Sequence, residues 1–224
     1  MKKQIAFFDF DGTLADTAAV IRRTINDTLA RLNREPARED EFKNYIGLPL
    51  ARIFELLLPD ADKATIDFAV RFYREKFPGN CAAGVKLYPG VRQTLKTLRD
   101  RDFCLAVASS REKASLLSLV NRLNIAPDFA LIAGEQDVAK HKPEPDIAEH
   151  VLRKTGIPAS DAMFVGDTVF DIKCGEAAGM KTCGVSYGFQ PGEKLRLAGA
   201  DYVIDAFPDI LGVLEKTWPR PSPR

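Results

Sequence analysis

The stretch Ile5-Ala6-Phe7-Phe8-Asp9-Phe10-Asp11-Gly12-Thr13-Leu14 restricts this chain more than any other. Ile5 to Phe8 is apolar, short and rich in aromatic residues, which suits a buried strand. Two acids, a glycine and a hydroxyl then follow at once. Side chains on a strand repeat every second residue, so continued extended geometry points Asp9 and Asp11 the same way. Gly12 permits a sharp turn. At ~4 Å and an effective dielectric of ~20, two carboxylates repel by roughly 4 kcal/mol. A divalent cation is the natural compensation. Taken alone, the same residues also read as ordinary turn and helix-cap chemistry, so the remaining chain has to decide.

The 224 residues can bury a large core, with ordinary globular shares of hydrophobic (46%) and charged (28%) residues. A net charge of +1 suggests neither a nucleic-acid nor a membrane partner. Lys2 and Lys3 precede an apolar run as in a secretory leader, but Asp9 breaks that run too early. No stretch approaches the roughly 18 apolar residues of a spanning helix. The expectation is a soluble, cytoplasmic protein. Cys81, Cys104, Cys174 and Cys183 form no C-x-x-C pair, and with only His141 and His150 a zinc site is not expected.

Residues 16–33 carry Val20, Ile21, Ile25, Leu29 and Leu32 at helical spacing. Shorter helices are predicted over 39–46 and 50–58, and a fourth over 63–76, ending before Pro78-Gly79. No strand is expected in this block. From residue 86 the pattern alternates: helix to about 101, strand 103–108, helix 112–123, strand 129–132, helix 144–155, strand 162–165, helix 170–178, strand 181–186, a weak strand near Tyr202-Val203 and a helix over 208–216. Alternation of this kind indicates a parallel sheet covered on both faces. The predicted architecture is α/β: a Rossmann-like parallel core of residues 1–15 and 86–218, with a helical insertion of 16–85. Residues 219–224, PRPSPR, are expected to be a disordered tail.

Ligands of open α/β sheets bind at the carboxyl ends of the strands. The first strand brings Asp9, Asp11 and Thr13 there, the 103–108 strand Ser109 and Ser110, and the 162–165 strand Asp167 and Asp171. Asp167 and Asp171 share a helix face if that turn is helical. Lys142 is followed by a proline suited to a first helical turn, opening the helix near Glu144.

Four motifs stand at these points: FFDFDGTLADT (7–17), LAVASS (105–110), KHKPEPD (140–146) and FVGDTVFD (164–171). In this order and spacing the chain resembles the haloacid dehalogenase superfamily, in the branch with a helical cap after the first motif, and within it the phosphoglycolate phosphatase-like proteins. The resemblance implies a phosphatase acting on a small phosphorylated metabolite. It makes Asp9 the nucleophile and Asp11 the general acid and base, which needs a pKa nearer neutrality than a free Asp has. It implies magnesium held by Asp9, the Asp11 backbone carbonyl and Asp167, with Asp171 behind them orienting a water or Lys142. Ser109, Lys142 and amides near Gly12 would bind the phosphoryl group, and Thr13 would orient the loop or the acid. In that scheme four carboxylates bring −4, and magnesium with Lys142 returns +3. The cap's segment Gly47 to Arg52 would contribute substrate selectivity, with Arg52 meeting a substrate carboxylate; an ordinary solvated arginine is the competing reading. Ser110 and Arg111 would approach the substrate, or cap the helix at Glu112.

Other activities of the superfamily stay open. A pyrophosphatase is one. A sugar phosphomutase is another, though the cap histidine of those enzymes is absent and position 21 is Ile21. Phosphonoacetaldehyde hydrolases need a cap lysine that the 47–52 segment lacks, and haloacid dehalogenases lack the second acid that Asp11 supplies. A phospho-acceptor signalling module of the receiver type also joins acids, a hydroxyl and a lysine on a parallel sheet. It needs neither an acid pair on the first strand nor an insertion like 16–85.

Overall fold

Every residue of β1 (Ile5–Phe8) is buried, and its side chains divide between two apolar clusters. Ile5 and Phe7 enter one cluster, Ala6 and Phe8 the other. A strand buried on both faces belongs inside a parallel sheet covered by helices on each side. That is the arrangement in the computed structural model, which describes residues 3–81 and 84–219. The expected tail therefore lies, apart from Pro219, outside the described residues.

After β1 comes a two-residue strand β2 (Ala15–Asp16), then α1 (Ala18–Arg31), α2 (Glu39–Tyr45), α3 (Leu50–Leu57) and α4 (Lys63–Cys81). A second short strand, β3 (Lys86–Leu87), pairs antiparallel with β2. The chain then runs α5 (Val91–Asp100), β4 (Cys104–Ala108), α6 (Lys113–Arg122), β5 (Leu131–Ala133), α7 (Asp146–Thr155), β6 (Ala162–Gly166), α8 (Val169–Ala177), β7 (Lys181–Val185), α9 (Gly192–Leu197), β8 (Tyr202–Ile204) and α10 (Ile210–Thr217). Among the described residues the main sheet has six strands in the order β5-β4-β1-β6-β7-β8, every neighbouring pair parallel. This is a Rossmann-like α/β core. No helix among the described residues is long and apolar enough to cross a membrane.

Register places the chemistry. Phe8 lies level with Val107 of β4 and Val165 of β6. The residues just past those three strand ends, Asp9, Ser109 and Asp167, therefore come side by side. The Asp9 amide donates to the Val165 carbonyl at 2.9 Å, carrying the pairing one residue beyond β1. This is the point where strand order reverses, with β4 on one side of β1 and β6 on the other.

The four helices between β2 and β3 pack into the same apolar cluster as one face of the sheet: Ile21, Ile25 and Leu29 of α1 with Ala69, Tyr73 and Phe77 of α4. The β2–β3 ladder brings the two connections of this insertion together, a pairing too short to be read from periodicity. The fourth helix also departs from expectation. It runs through Pro78 to Cys81 instead of stopping near Lys76. An internal proline costs about 3 kcal/mol, and contacts of the last turn offset it. Phe77 is buried beside Tyr73, and Asn80 donates to Thr24 Oγ1 and Asp27 Oδ2 of α1, both at 3.0 Å. The four cysteines are free and buried.

Candidate active site

The centre of the site is a buried chain of charges. Lys142, 3% exposed, donates to Asp9 Oδ1 at 2.7 Å and to Asp171 Oδ1 at 2.6 Å. Burial works against its charge, but Asp171 and then Asp9 outweigh that and hold the ammonium above its ordinary pKa. The Lys142–Pro143 peptide is cis, and α7 begins at Asp146. The proline therefore opens no helix, contrary to the sequence expectation. It sits in the loop that carries the lysine inward.

Asp9 is pushed up to about 7, chiefly by burial; Lys142 opposes the rise, while Asp171 and Asp11 add to it. Its Oδ1 faces Lys142, and among the described residues its Oδ2 accepts no hydrogen bond. Asp167 is fully buried. Its Oδ1 accepts from Thr13 Oγ1 at 3.0 Å and its Oδ2 from the Phe189 amide at 2.8 Å. Burial, then Asp171 and Asp9, hold it well above the usual carboxylate range. Thr13 thus orients the acid on another strand. Asp167 and Asp171 do not share a helix face: α8 starts at Val169, and its N-cap is Thr168. Asp171 closes that turn from inside, its Oδ2 accepting from the Thr168 amide (3.0 Å) and hydroxyl (2.7 Å).

Asp11 departs most from the sequence picture. It turns away from Lys142 to Arg111, whose Nε and Nη2 each donate to one carboxylate oxygen at 2.8 Å. Both carboxylate oxygens are therefore occupied in this arrangement. The charge balance drawn from the sequence lacked this arginine. With it, Asp9, Asp11, Asp167 and Asp171 face two buried cations among the described residues, leaving a deficit of two charges there. Arg111 follows Ser109 and Ser110 directly, and a base two positions after a strand-end serine was the available signal. Phe189 acts through its main chain and left no signal.

Gly12 has φ +83°, and a Cβ there would meet Asp167 Oδ2 at 2.3 Å and the Phe189 ring at 2.6 Å. It lets the loop close against the acid. Its own amide donates to the Ala15 carbonyl at 2.9 Å, which leaves it unavailable to a phosphate. The amides of Phe10 and Asp11 donate to no group among the described residues. They, and not the Gly12 amide, are the unpaired main-chain donors of this loop among the described residues. Ser109 is buried, and its Oγ accepts from the Arg111 amide at 3.2 Å.

A cavity of about 390 Å³ opens over these groups. Asp9, Asp11, Ser109, Ser110 and Arg111 form its floor, and Ile46, Gly47, Leu48 and Ile53 of the insertion line it with Tyr73 and Phe77. Gly47 is drawn close to the start of α8, where a Cβ would lie 3.0 Å from Thr168 Oγ1. Arg52 is not in the lining. It is exposed on α3 and paired with Glu55 at 2.8 Å, so the solvated reading applies.

Among the described residues no three His, Cys, Asp or Glu side chains cluster into a metal cage. The donors present are the Asp9 carboxylate, Asp167 and the Asp11 carbonyl, which accepts no hydrogen bond among the described residues. Few protein carboxylates and oxygen-only donors suit magnesium, which keeps waters and takes substrate phosphate. A fully buried Asp167 with no cationic partner among the described residues, and the deficit of two charges, fit such an ion.

Residues 6–185 match the family model of haloacid dehalogenase-like hydrolases. The chain is 33% identical over 211 residues to a phosphoglycolate phosphatase of Pectobacterium atrosepticum, covering 92% of this chain and 90% of that protein. It is 30% identical over 207 residues to the pyrophosphatase PpaX of Bacillus pumilus, covering 92% and 94%. The crystal structure of a predicted phosphoglycolate phosphatase from Haemophilus somnus has the same fold, with a TM-score of 0.88 over 95% of this chain and 98% of that one, at 24% identity.

Proposed function

Since the chain belongs to the haloacid dehalogenase-like hydrolase family, we propose that it is a magnesium-dependent phosphatase. Its substrate is a small phosphomonoester resembling phosphoglycolate, and the reaction passes through an aspartyl-phosphate. The observation that carries this reading is the Lys142 bridge between Asp9 and Asp171, set beside Ser109 and the buried Asp167.

Asp9 Oδ2 attacks phosphorus, and the ester P–O bond breaks. The departing alkoxide takes a proton from Asp11. In the second half Asp11 takes a proton from water, the water oxygen bonds to phosphorus, and the Asp9–phosphorus bond breaks to release inorganic phosphate. Lys142 and Ser109 hold phosphoryl oxygens, and the Phe10 and Asp11 amides add donors where negative charge builds. Asp9, the Asp11 carbonyl and Asp167 would hold magnesium, which when bound neutralises charge on the phosphoryl group. The helical insertion, as a cap, encloses the cavity and keeps bulk water from the acyl-phosphate.

The test is phosphate release across a panel of phosphomonoesters with and without a chelator. Turnover that EDTA abolishes and magnesium restores is expected, and its absence across the panel would sink the reading. Asp9→Asn should drop turnover by about 10³ or more; full activity in that variant removes Asp9 from its role. The similarity to a pyrophosphatase makes pyrophosphate the second substrate to assay. The largely apolar wall of the insertion favours an organic ester.

A further inference from the structure

We propose that Arg111 recognises a second anionic group on the substrate, and that this group takes the place of Asp11 on the guanidinium. The proposal rests on the phosphatase reading above and adds to it the residue that selects the substrate.

The conflict that motivates it is geometric. Asp11 is required beside the leaving oxygen, yet both its oxygens are held in the Arg111 fork at 2.8 Å. Opening that pair with nothing in exchange leaves a buried arginine, its side chain 8% exposed, without a counter-charge. Such unpaired buried charges are strongly disfavoured. A substrate that brings its own anion removes the difficulty, because one anion replaces another in the fork and Asp11 is released toward the reacting centre.

Arg111 is built to stay while Asp11 leaves. Its guanidinium lies 4.2 Å from the centroid of the Phe77 ring, contributed by α4 of the insertion. Nη1 donates to Ser115 Oγ at 3.0 Å, and the Arg111 amide donates to Ser109 Oγ. None of these three anchors involves Asp11. What remains free on its departure is a planar pair of N–H donors, Nε and Nη2, facing the cavity. That fork matches a carboxylate or a phosphate edge.

A second observation points to a ligand here. Ser110 Oγ is buried, lines the same cavity and has no hydrogen-bond partner among the described residues. Arg74, also in the lining, is engaged with Glu135 at 2.8 Å. Because Arg111 touches Asp11, and Asp11 must touch the ester oxygen, the second anion lies only a few atoms from that oxygen. The class of substrate is therefore a short phosphomonoester carrying a carboxylate or second phosphate near the ester. A neutral ester of the same size would leave Asp11 locked.

The experiment compares binding of two non-hydrolysable probes by calorimetry in the presence of magnesium: phosphonoacetate, which carries the second anion, and ethylphosphonate, which does not. The wild type should prefer phosphonoacetate by roughly 10- to 100-fold. In Arg111→Gln this ratio should collapse toward one, and in Arg111→Lys it should partly return. A ratio within one sample does not depend on the fraction of protein folded, so a destabilised variant still gives an answer. A methylene-bridged bisphosphonate in the same titration tells whether the second anion is better read as phosphate. An unchanged ratio in Arg111→Gln, or no preference in the wild type, overturns the proposal. Wild-type protein that retains the preference but cleaves no phosphomonoester overturns the phosphatase reading instead.

Discussion

Thr13 and Asp167 are 154 positions apart in the chain, yet the Thr13 hydroxyl donates to Asp167 Oδ1 at 3.0 Å with both side chains fully buried. The bond ties the loop after β1 to the loop after β6. It gives the buried carboxylate one of its two donors among the described residues, the other being the Phe189 amide.

Thr13→Val keeps the shape and removes that donor. A hydrogen bond to a charged group contributes about 1.5–3 kcal/mol, and if Asp167 holds magnesium as proposed, losing its orientation would cost roughly 10- to 100-fold in metal affinity. The expected result is a lower urea midpoint together with a right-shifted magnesium titration of activity. A shifted midpoint with unchanged magnesium dependence would make Thr13 a purely structural residue.

Lys142→Met removes the cation shared by Asp9 and Asp171. Breaking a buried pair from one side costs about 3–5 kcal/mol. Here two carboxylates lose their partner at once. Chemical denaturation should record a loss of that order, with turnover below detection. A Lys142→Met protein as stable as wild type would mean that the buried bridge adds nothing to stability.

The pH dependence follows from Asp9. Its pKa in the folded protein is pushed up to about 7, first by burial. A carboxyl raised in this way contributes stability that is present below its unfolded pKa of about 3.9 and is lost as pH rises through the folded value. Asp167 shifts in the same direction. Metal-free protein in EDTA should therefore melt lower at about pH 8 than at about pH 5.5, and magnesium should raise the melting temperature more at the higher pH, where it competes with fewer protons. Equal magnesium stabilisation at both pH values would mean that no carboxylate of the site titrates in this window.

Arg52→Ala is the contrasting case. Arg52 and Glu55 form an exposed pair, and such pairs contribute between nothing and about 1 kcal/mol. Stability and the rank order of substrates should both be unchanged. A loss confined to anionic substrates would bring Arg52 back as a selectivity residue.

How much of this was legible in the sequence varied with the range of the interaction. The sheet was readable because burial on both faces of β1, β4 and β6 leaves continuous apolar runs, and each ends in a polar residue where the strand stops. Asp9, Ser109 and Asp167 could be singled out from those endings, whereas Lys142 stood out only through the proline after it and the KHKPEPD motif. The end of helix α4 differs from the expectation because a proline acts locally, whereas Phe77 and Asn80 beside it are held by distant partners in the core and on α1.

The opening stretch Ile5 to Leu14 by itself determined that two acids would stand at the end of a buried strand, since a short continuous apolar run and a glycine turn are local physics. Only the tertiary structure decided where each acid points. Asp9 meets Lys142 from 133 positions away, and Asp11 meets Arg111 from 100. Those partners depend on β1 lying between β4 and β6, an order fixed by packing across the whole sheet. A carboxylate's role follows from the cation that faces it, and no local pattern specifies that cation.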